Sequence, residues 1–317
     1  MISSPALQAV VARALSGTGM YHPLERILGR RYGGLILCFH NLSPERFVEH
    51  IEALAPNRAI SLSDILEREA QGKPTGGLFA ITFDDGVGET VRTISRTCQR
   101  RQWPVTFYVP TAYLDDPLAM PFQWLNNLKP HLPQQVIDLP SGRLDLSAPG
   151  APAQYHRTLK RTMYTRPRGE YVPIIMELVT FLIDAGLVTR RDLTPPPPIS
   201  WDEVTQLSRD PLLRFESHGV SHCAVAALTP TELDRELRES RDKIQNHTDL
   251  PCEHFCYPFG GSDSIGTTAP AAAARYYKSA VTGARGRLRG SRPFLVPRVP
   301  LYPKDGGDVA RLKVLTG

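Results

Sequence analysis

Short apolar runs of strand length recur along this chain, each followed by a helix-start signal, and that alternation limits the folds open to it. Leu35-Ile36-Leu37-Cys38-Phe39, the run from Leu78 to Phe83, and Val105-Thr106-Phe107-Tyr108-Val109 have the length and β-branched or aromatic content of buried strands. After the first run, Ser43-Pro44 pairs a capping residue with proline at the first helical position, and Phe47, Ile51 and Leu54 follow on one face. Ser61 to Ala70 reads as a second helix, about Glu89 to Arg101 as a third. Thr229-Pro230-Thr231-Glu232 is a capping box that opens a helix with Leu233, Leu237 and Ile244 facing inward. Tyr277 to Thr282 and Phe294 to Val299 read as late strands. Strands alternating with helices imply an α/β fold around a parallel sheet.

The second run ends in Phe83-Asp84-Asp85-Gly86, and far downstream stands His218-Gly219-Val220-Ser221-His222. Alone, Asp-Asp-Gly is a turn, because Asp tolerates turn geometry and Gly supplies positive φ. A lone His-x3-His is also a weak signal, and Gly219 and Val220 argue against a regular helix between the imidazoles. Together they read differently. One carboxylate and two imidazoles are the three protein ligands of a catalytic Zn²⁺ with an open position, and the second carboxylate is left over as a base. Strand ends are where such groups gather.

Thr82-Phe83-Asp84-Asp85-Gly86 and His218-Gly219-Val220-Ser221-His222 resemble the first two motifs of the polysaccharide deacetylases, carbohydrate esterase family 4. Phe255-Cys256-Tyr257-Pro258-Phe259-Gly260-Gly261 resembles that family's Tyr-Pro-Tyr-Gly loop, and Ser200-Trp201-Asp202-Glu203-Val204 a segment often found ahead of the histidine motif. The resemblance implies a distorted, incomplete (β/α) barrel. It makes Asp84 the general base, Asp85, His218 and His222 the ligands of one divalent metal ion, usually Zn²⁺, and the backbone N–H of Phe259 the oxyanion donor. Tyr257, Pro258 and Trp201 then fall beside the substrate.

Two departures from the family pattern stand out. The position at which many members carry an arginine that holds the catalytic aspartate is Cys256 here. The late Leu-x-His that supplies the general acid is absent, since no histidine follows His254 and the corresponding stretch reads Phe294-Leu295-Val296-Pro297-Arg298-Val299. His40, after the first apolar run, resembles the strand-end histidine of the subgroup containing the poly-N-acetylglucosamine deacetylases, and the resemblance makes it the candidate acid. By itself a histidine there is more often a satisfied, partly buried side chain.

A chain of 317 residues, 41% hydrophobic and 22% charged, suits one large soluble domain. Residues 1–34 read as a helical N-terminal appendage, with Ala6, Val10, Ala14, Leu24 and Ile27 on apolar faces. Residues 35–317 read as the catalytic domain, within which 115–198 is a mainly helical insertion. In that insertion Tyr171 to Ala185 is almost wholly apolar, Trp124 is a core or groove residue, and Thr194-Pro195-Pro196-Pro197-Pro198 is a stiff connector or a ligand for a proline-recognising domain. A formal charge of +5 is too modest for a nucleic-acid binder, although Arg285 to Arg292 suit contact with an anionic membrane surface or a phosphate-bearing glycolipid. Five cysteines without small-domain spacing suggest no disulfide framework. With no secretory pattern in Met1 to Gly19 and no spanning segment, the expected location is the cytoplasm.

The resulting expectation is a metal-dependent de-N-acetylase acting on an N-acetylated amino sugar in a glycan, an oligosaccharide or a lipid-linked saccharide. A deformylase acting on a lipid-linked formamido sugar and a catalytically impaired sugar-binding member of the fold are the alternatives.

Overall fold

The computed structural model describes residues 17–18, 20–55, 58–116 and 119–316. Ala6, Val10 and Ala14 therefore lie outside the described residues. Nine strands are described: β1 (Leu35–Phe39), β2 (Phe79–Phe83), β3 (Val105–Val109), β4 (Val136–Leu139), β5 (Gly142–Asp145), β6 (Leu213–Ser217), β7 (His254–Cys256), β8 (Ser279–Val281) and β9 (Val299–Pro300). Seven form one parallel sheet in the order β8-β7-β6-β3-β2-β1-β9, and β4 and β5 form a separate antiparallel hairpin. The sheet curls into a half-barrel with flanking helices, the distorted (β/α) barrel expected.

Alternate residues of the strands point to opposite sides. On the outer side Phe39, Phe83, Phe107 and Phe215 are direct partners across β1, β2, β3 and β6. Their rings follow one another at 5.0, 5.9 and 5.4 Å between centroids, and such cross-strand aromatic pairs pin register. Helices Pro44–Ala53, Gly88–Arg101 and Pro230–Thr248 cover this face with Phe47, Ile51, Val91, Ile94, Leu233 and Leu237. Ser43 and Thr229 cap two of these helices as the sequence predicts. The other face lines the inside of the half-barrel, and there Cys38, Thr82, Tyr108 and Cys256 are buried.

The late strand differs from expectation. Only Val299 and Pro300 join the β1 ladder, and Val296 makes an isolated bridge to Val281. Pro293 and Pro297 have no N–H to give, and the Arg298 N–H goes to Ala284 O. The segment nonetheless runs from the β8 edge to the β1 edge, which carries Arg298 across the gap between them.

Residues from Trp124 to Leu193 have a hydrophobic core of their own, in which Trp124, Tyr171, Ile175, Leu178 and Leu182 are buried. Trp124 is thus a core residue. The proline run lies against the barrel, with Pro196 O accepting from Tyr113 Oη and Pro197 O from the Gly88 N–H. The N-terminal helix Tyr21–Tyr32 buries Tyr21 in the main core, and Glu25 pairs with Arg58 at 3.0 Å. Arg285, Arg287 and Arg289 are engaged with backbone carbonyls of Lys313, Gly33, Val314 and Arg30. All five cysteines are free and buried. Among the described residues no helix is long and apolar enough to cross a membrane.

Candidate metal and acid-base site

The carboxyl ends of the parallel strands deliver the site. β1 leads into His40, β2 into Asp84 and Asp85, β6 into His218, and β7 into the loop from Tyr257 to Gly260. These residues line one cavity of about 370 Å³. Asp84 and Asp85 are adjacent in sequence but face different partners, because Asp85 takes a left-handed backbone (φ 75°) that turns its side chain away from its neighbour's.

Asp85 Oδ1 lies 3.4 Å from His222 Nε2 and 3.8 Å from His218 Nε2. Atoms bound at ~2.0–2.1 Å to a tetrahedral cation stand about 3.3–3.4 Å from one another, so this spacing already approximates a coordination shell. His218 Nδ1 donates to Cys256 O at 2.8 Å, which leaves Nε2 as the atom with a lone pair. Burial and the neighbouring His222 hold the His218 pKa down at about 4, in the neutral form a metal needs. Two other groupings come equally close, Cys38 with His40 and Asp84, and Asp84 with His218 and Cys256. Both include Asp84, whose two oxygens are held by a guanidinium that repels a cation. Asp85, His218 and His222 therefore fit a divalent ion best.

The histidine loop is built for its shape. Glu236, buried in the helix Pro230–Thr248, accepts the N–H groups of Val220 and Ser221 at 2.8 and 2.7 Å. Arg168 donates to Ser221 O at 2.8 Å. Gly219 has φ 80°, and a Cβ there would come within 2.7 Å of Glu236 Oε1, so the position excludes a side chain. His222 itself is held at φ 50°.

Arg298 is the residue the sequence reading missed. Its Nη1 and Nη2 donate to Asp84 Oδ1 and Oδ2, each at 2.8 Å, its Nε donates to Thr282 O at 3.0 Å, and Nη2 lies 3.1 Å from Cys256 Sγ. Burial alone would raise the Asp84 pKa, but the guanidinium outweighs it and holds the carboxyl well below the usual range. The arginine expected at the Cys256 position is thus supplied by the segment just ahead of β9, with the small thiol leaving it room. A signal was present, since an arginine between Pro297 and Val299 in an apolar segment needs a buried partner.

His40 Nε2 stands 3.8 Å from Asp84 Oδ2, with 49% of its side chain exposed. Burial disfavours its charge, but Cys38 and the carboxylates of Asp85 and Asp84 push its pKa up. Phe259 has φ 63° and its N–H donates to no group among the described residues. Its ring is fixed by His222 at 4.9 Å, Phe122 at 5.5 Å and Tyr164 at 4.5 Å. Gly260, also left-handed, lies so close to Gly283 that a Cβ would sit 2.3 Å from the Gly283 nitrogen. Left-handed non-glycine residues cost about 1–3 kcal/mol each, and Asp85, His222 and Phe259 all sit here.

Tyr257 lines the cavity, with its hydroxyl donating to Phe294 O at 3.1 Å. Pro258 is not among the lining residues. Trp201 is not among the lining residues of this cavity: its indole stacks on His247 at 4.1 Å and donates to Asp115 at 2.9 Å. It starts the helix Trp201–Leu207 and packs, partly buried, against the main core. Phe122, Lys160 and Tyr164 line the same cavity, and no motif marked them.

A family model described as polysaccharide deacetylase matches residues 174–277, which takes in the histidine motif and the Tyr257 to Gly261 loop. No curated protein matches the chain. Among solved structures, the Streptococcus pyogenes deacetylase PplD in complex with acetate is 12% identical with a TM-score of 0.57, covering 89% of this chain and 97% of that one. The BpsB deacetylase domain from Bordetella bronchiseptica is 13% identical with a TM-score of 0.54, covering 84% and 95%. IcaB from Ammonifex degensii is 16% identical with a TM-score of 0.54, covering 89% and 97%. The family model spans residues 174–277 of the 317, and the likeness to these structures, at 12%, 13% and 16% identity, is one of fold.

Proposed function

We propose that the protein is a metal-dependent de-N-acetylase that hydrolyses the acetamide of an N-acetylated amino sugar. The observation that carries this reading is the convergence of Asp85, His218 and His222 on one point, with an ionised carboxylate, Asp84, beside it and outside the set. A divalent ion held by those three side chains, best matched by Zn²⁺ from its mixed imidazole and carboxylate donors, supplies Lewis acidity that polarises the acetamide carbonyl and acidifies water.

Asp84 accepts the proton of the attacking water. Arg298 keeps it ionised and fixed in orientation, at a cost in basicity that an acidified water offsets. As the carbonyl becomes tetrahedral, the free N–H of Phe259 donates to its oxygen, and this donor needs no reorganisation because three rings pin the residue. His40, with its pKa raised and its ring at the cavity mouth, gives a proton to the departing amine. That the related fold of PplD was solved with acetate supports acetyl as the acyl group transferred to water.

A binding-only protein would be favoured by Cys256 and by the absent late histidine, and Arg298 weakens the first of these by making the contact that Cys256 cannot. Acetate and formate release from N-acylated saccharides, measured on metal-stripped and zinc-reconstituted protein, tests the reading. Acetate released only after reconstitution is the expected result, and formate alone would favour the deformylase. His40→Ala should keep stoichiometric metal while turnover falls at least ~10²-fold; unchanged turnover would remove His40 from the acid role.

A further inference from the structure

The charges around the cavity do not cancel. Asp84 is matched by Arg298 through two hydrogen bonds, and Asp85 faces the imidazoles of His218 and His222. Lys160 lines the same cavity from the helix Ala151–Thr165, one turn before Tyr164. Its ammonium lies 4.9 Å from the centre of the Phe122 ring, and that ring lies 6.0 Å from the ring of His222. Lys160 therefore stands one aromatic ring away from a proposed metal ligand.

Lys160 is half-buried and forms no ion pair with any described carboxylate. Burial, and then the like charge of Lys129, lower its pKa. A partly desolvated ammonium beside a like charge is unfavourable in the free enzyme, and solvent-facing lysines ordinarily avoid it by turning outward. The Phe122 face holds this one in place.

We propose that Lys160 binds an oxyanion carried by the substrate, so that the enzyme acts on an anionic N-acylated saccharide, one bearing a phosphate ester or a sugar carboxylate close to the reacting acetamide. The inference rests on the deacetylase reading above and deepens it by naming the substrate class. Either oxyanion would face an ammonium in a partly water-excluded cavity, where charge-assisted hydrogen bonds are stronger than neutral ones. The structure thus separates two walls, one that performs hydrolysis and one that selects charge.

The test uses zinc-reconstituted full-length protein and three probes: the neutral disaccharide of N-acetylglucosamine, N-acetylglucosamine carrying a phosphate ester on its anomeric oxygen, and a disaccharide of N-acetylhexosamine with a uronic acid. Acetate release should show a kcat/KM for one anionic probe at least ~10-fold above the neutral one, mainly through KM, and which probe wins identifies phosphate or carboxylate. Lys160→Met should collapse that ratio, Lys160→Arg should preserve it, and Lys160→Glu should invert it. Equal preference in the wild type, or a ratio that Lys160→Met leaves intact, overturns the inference while deacetylation stands. No acetate from any probe overturns the deacetylase reading and this inference with it.

Discussion

The strand ends and the mainly helical stretch from Phe122 to Leu193 line one cavity, and they are built on different principles. At the strand ends position is fixed by the sheet: the phenylalanine ladder sets register, and Asp84, Asp85, His218 and Tyr257 emerge where strands stop. Every buried charge there has a partner, and three non-glycine residues are held in left-handed backbone. The helical side has a separate apolar core and presents Phe122, Lys160 and Tyr164 to the cavity without backbone strain, with Lys160 lacking a carboxylate partner. Strain and tight pairing mark the side assigned to chemistry; an unpaired cation and aromatic surface mark the side assigned to recognition.

That division can be broken from either side. The largest effect expected is from Arg298→Met on the strand side. Without the guanidinium, burial drives the Asp84 pKa upward against the remaining pull of His218 and His40, so the carboxylate is protonated at a higher pH than in the wild type. Turnover should drop by ~10²-fold near pH 6, the acid limb of the pH profile should move to higher pH, and part of the loss should return in alkaline buffer. An unmoved acid limb would show that Arg298 does not govern Asp84. On the helical side, Tyr164→Ala removes the ring 4.5 Å from Phe259. An aromatic pair contributes about 0.5–1.5 kcal/mol, so a fall of ~2- to 10-fold in kcat/KM is expected, with no change in metal stoichiometry. A loss as deep as that of Arg298→Met would mean that the two walls are not separable.

The smallest effect should come from Trp201→Phe, which lies on neither wall. The indole hydrogen bond to Asp115 is lost and the stack on His247 is kept. Thermal stability should fall by about 1 kcal/mol or less while kcat/KM stays within ~2-fold of wild type. A marked rise in KM would return Trp201 to the substrate surface.

The strand side was legible in the sequence because its groups come as motifs in contiguous stretches, Asp84 with Asp85 and His218 with His222, placed by apolar runs whose period announces strands. The helices were equally plain where Ser43 and Thr229 cap them. Arg298 was not, because its role depends on a segment that crosses from one sheet edge to the other, and local sequence does not encode which edges a segment bridges. The wall residues Phe122, Lys160 and Tyr164 were invisible for another reason. They lie on amphipathic helices, where an aromatic or a lysine at helical spacing is compatible with any surface. Trp201 shows the limit of motif proximity: it stands ahead of the histidine motif, yet the capped helix it begins packs it against the main core and not among the residues lining this cavity.

The account rests on a single cation shared by three side chains, and crystallography of the zinc-reconstituted protein at the zinc absorption edge tests it most directly. One anomalous peak per chain is predicted, about 2 Å from Asp85, His218 Nε2 and His222 Nε2 and not bonded to Asp84, and it should vanish in His222→Ala. A peak on Cys38, His40 and Asp84, or no stoichiometric peak at all, would contradict the assignment of ligand and base on which the rest depends.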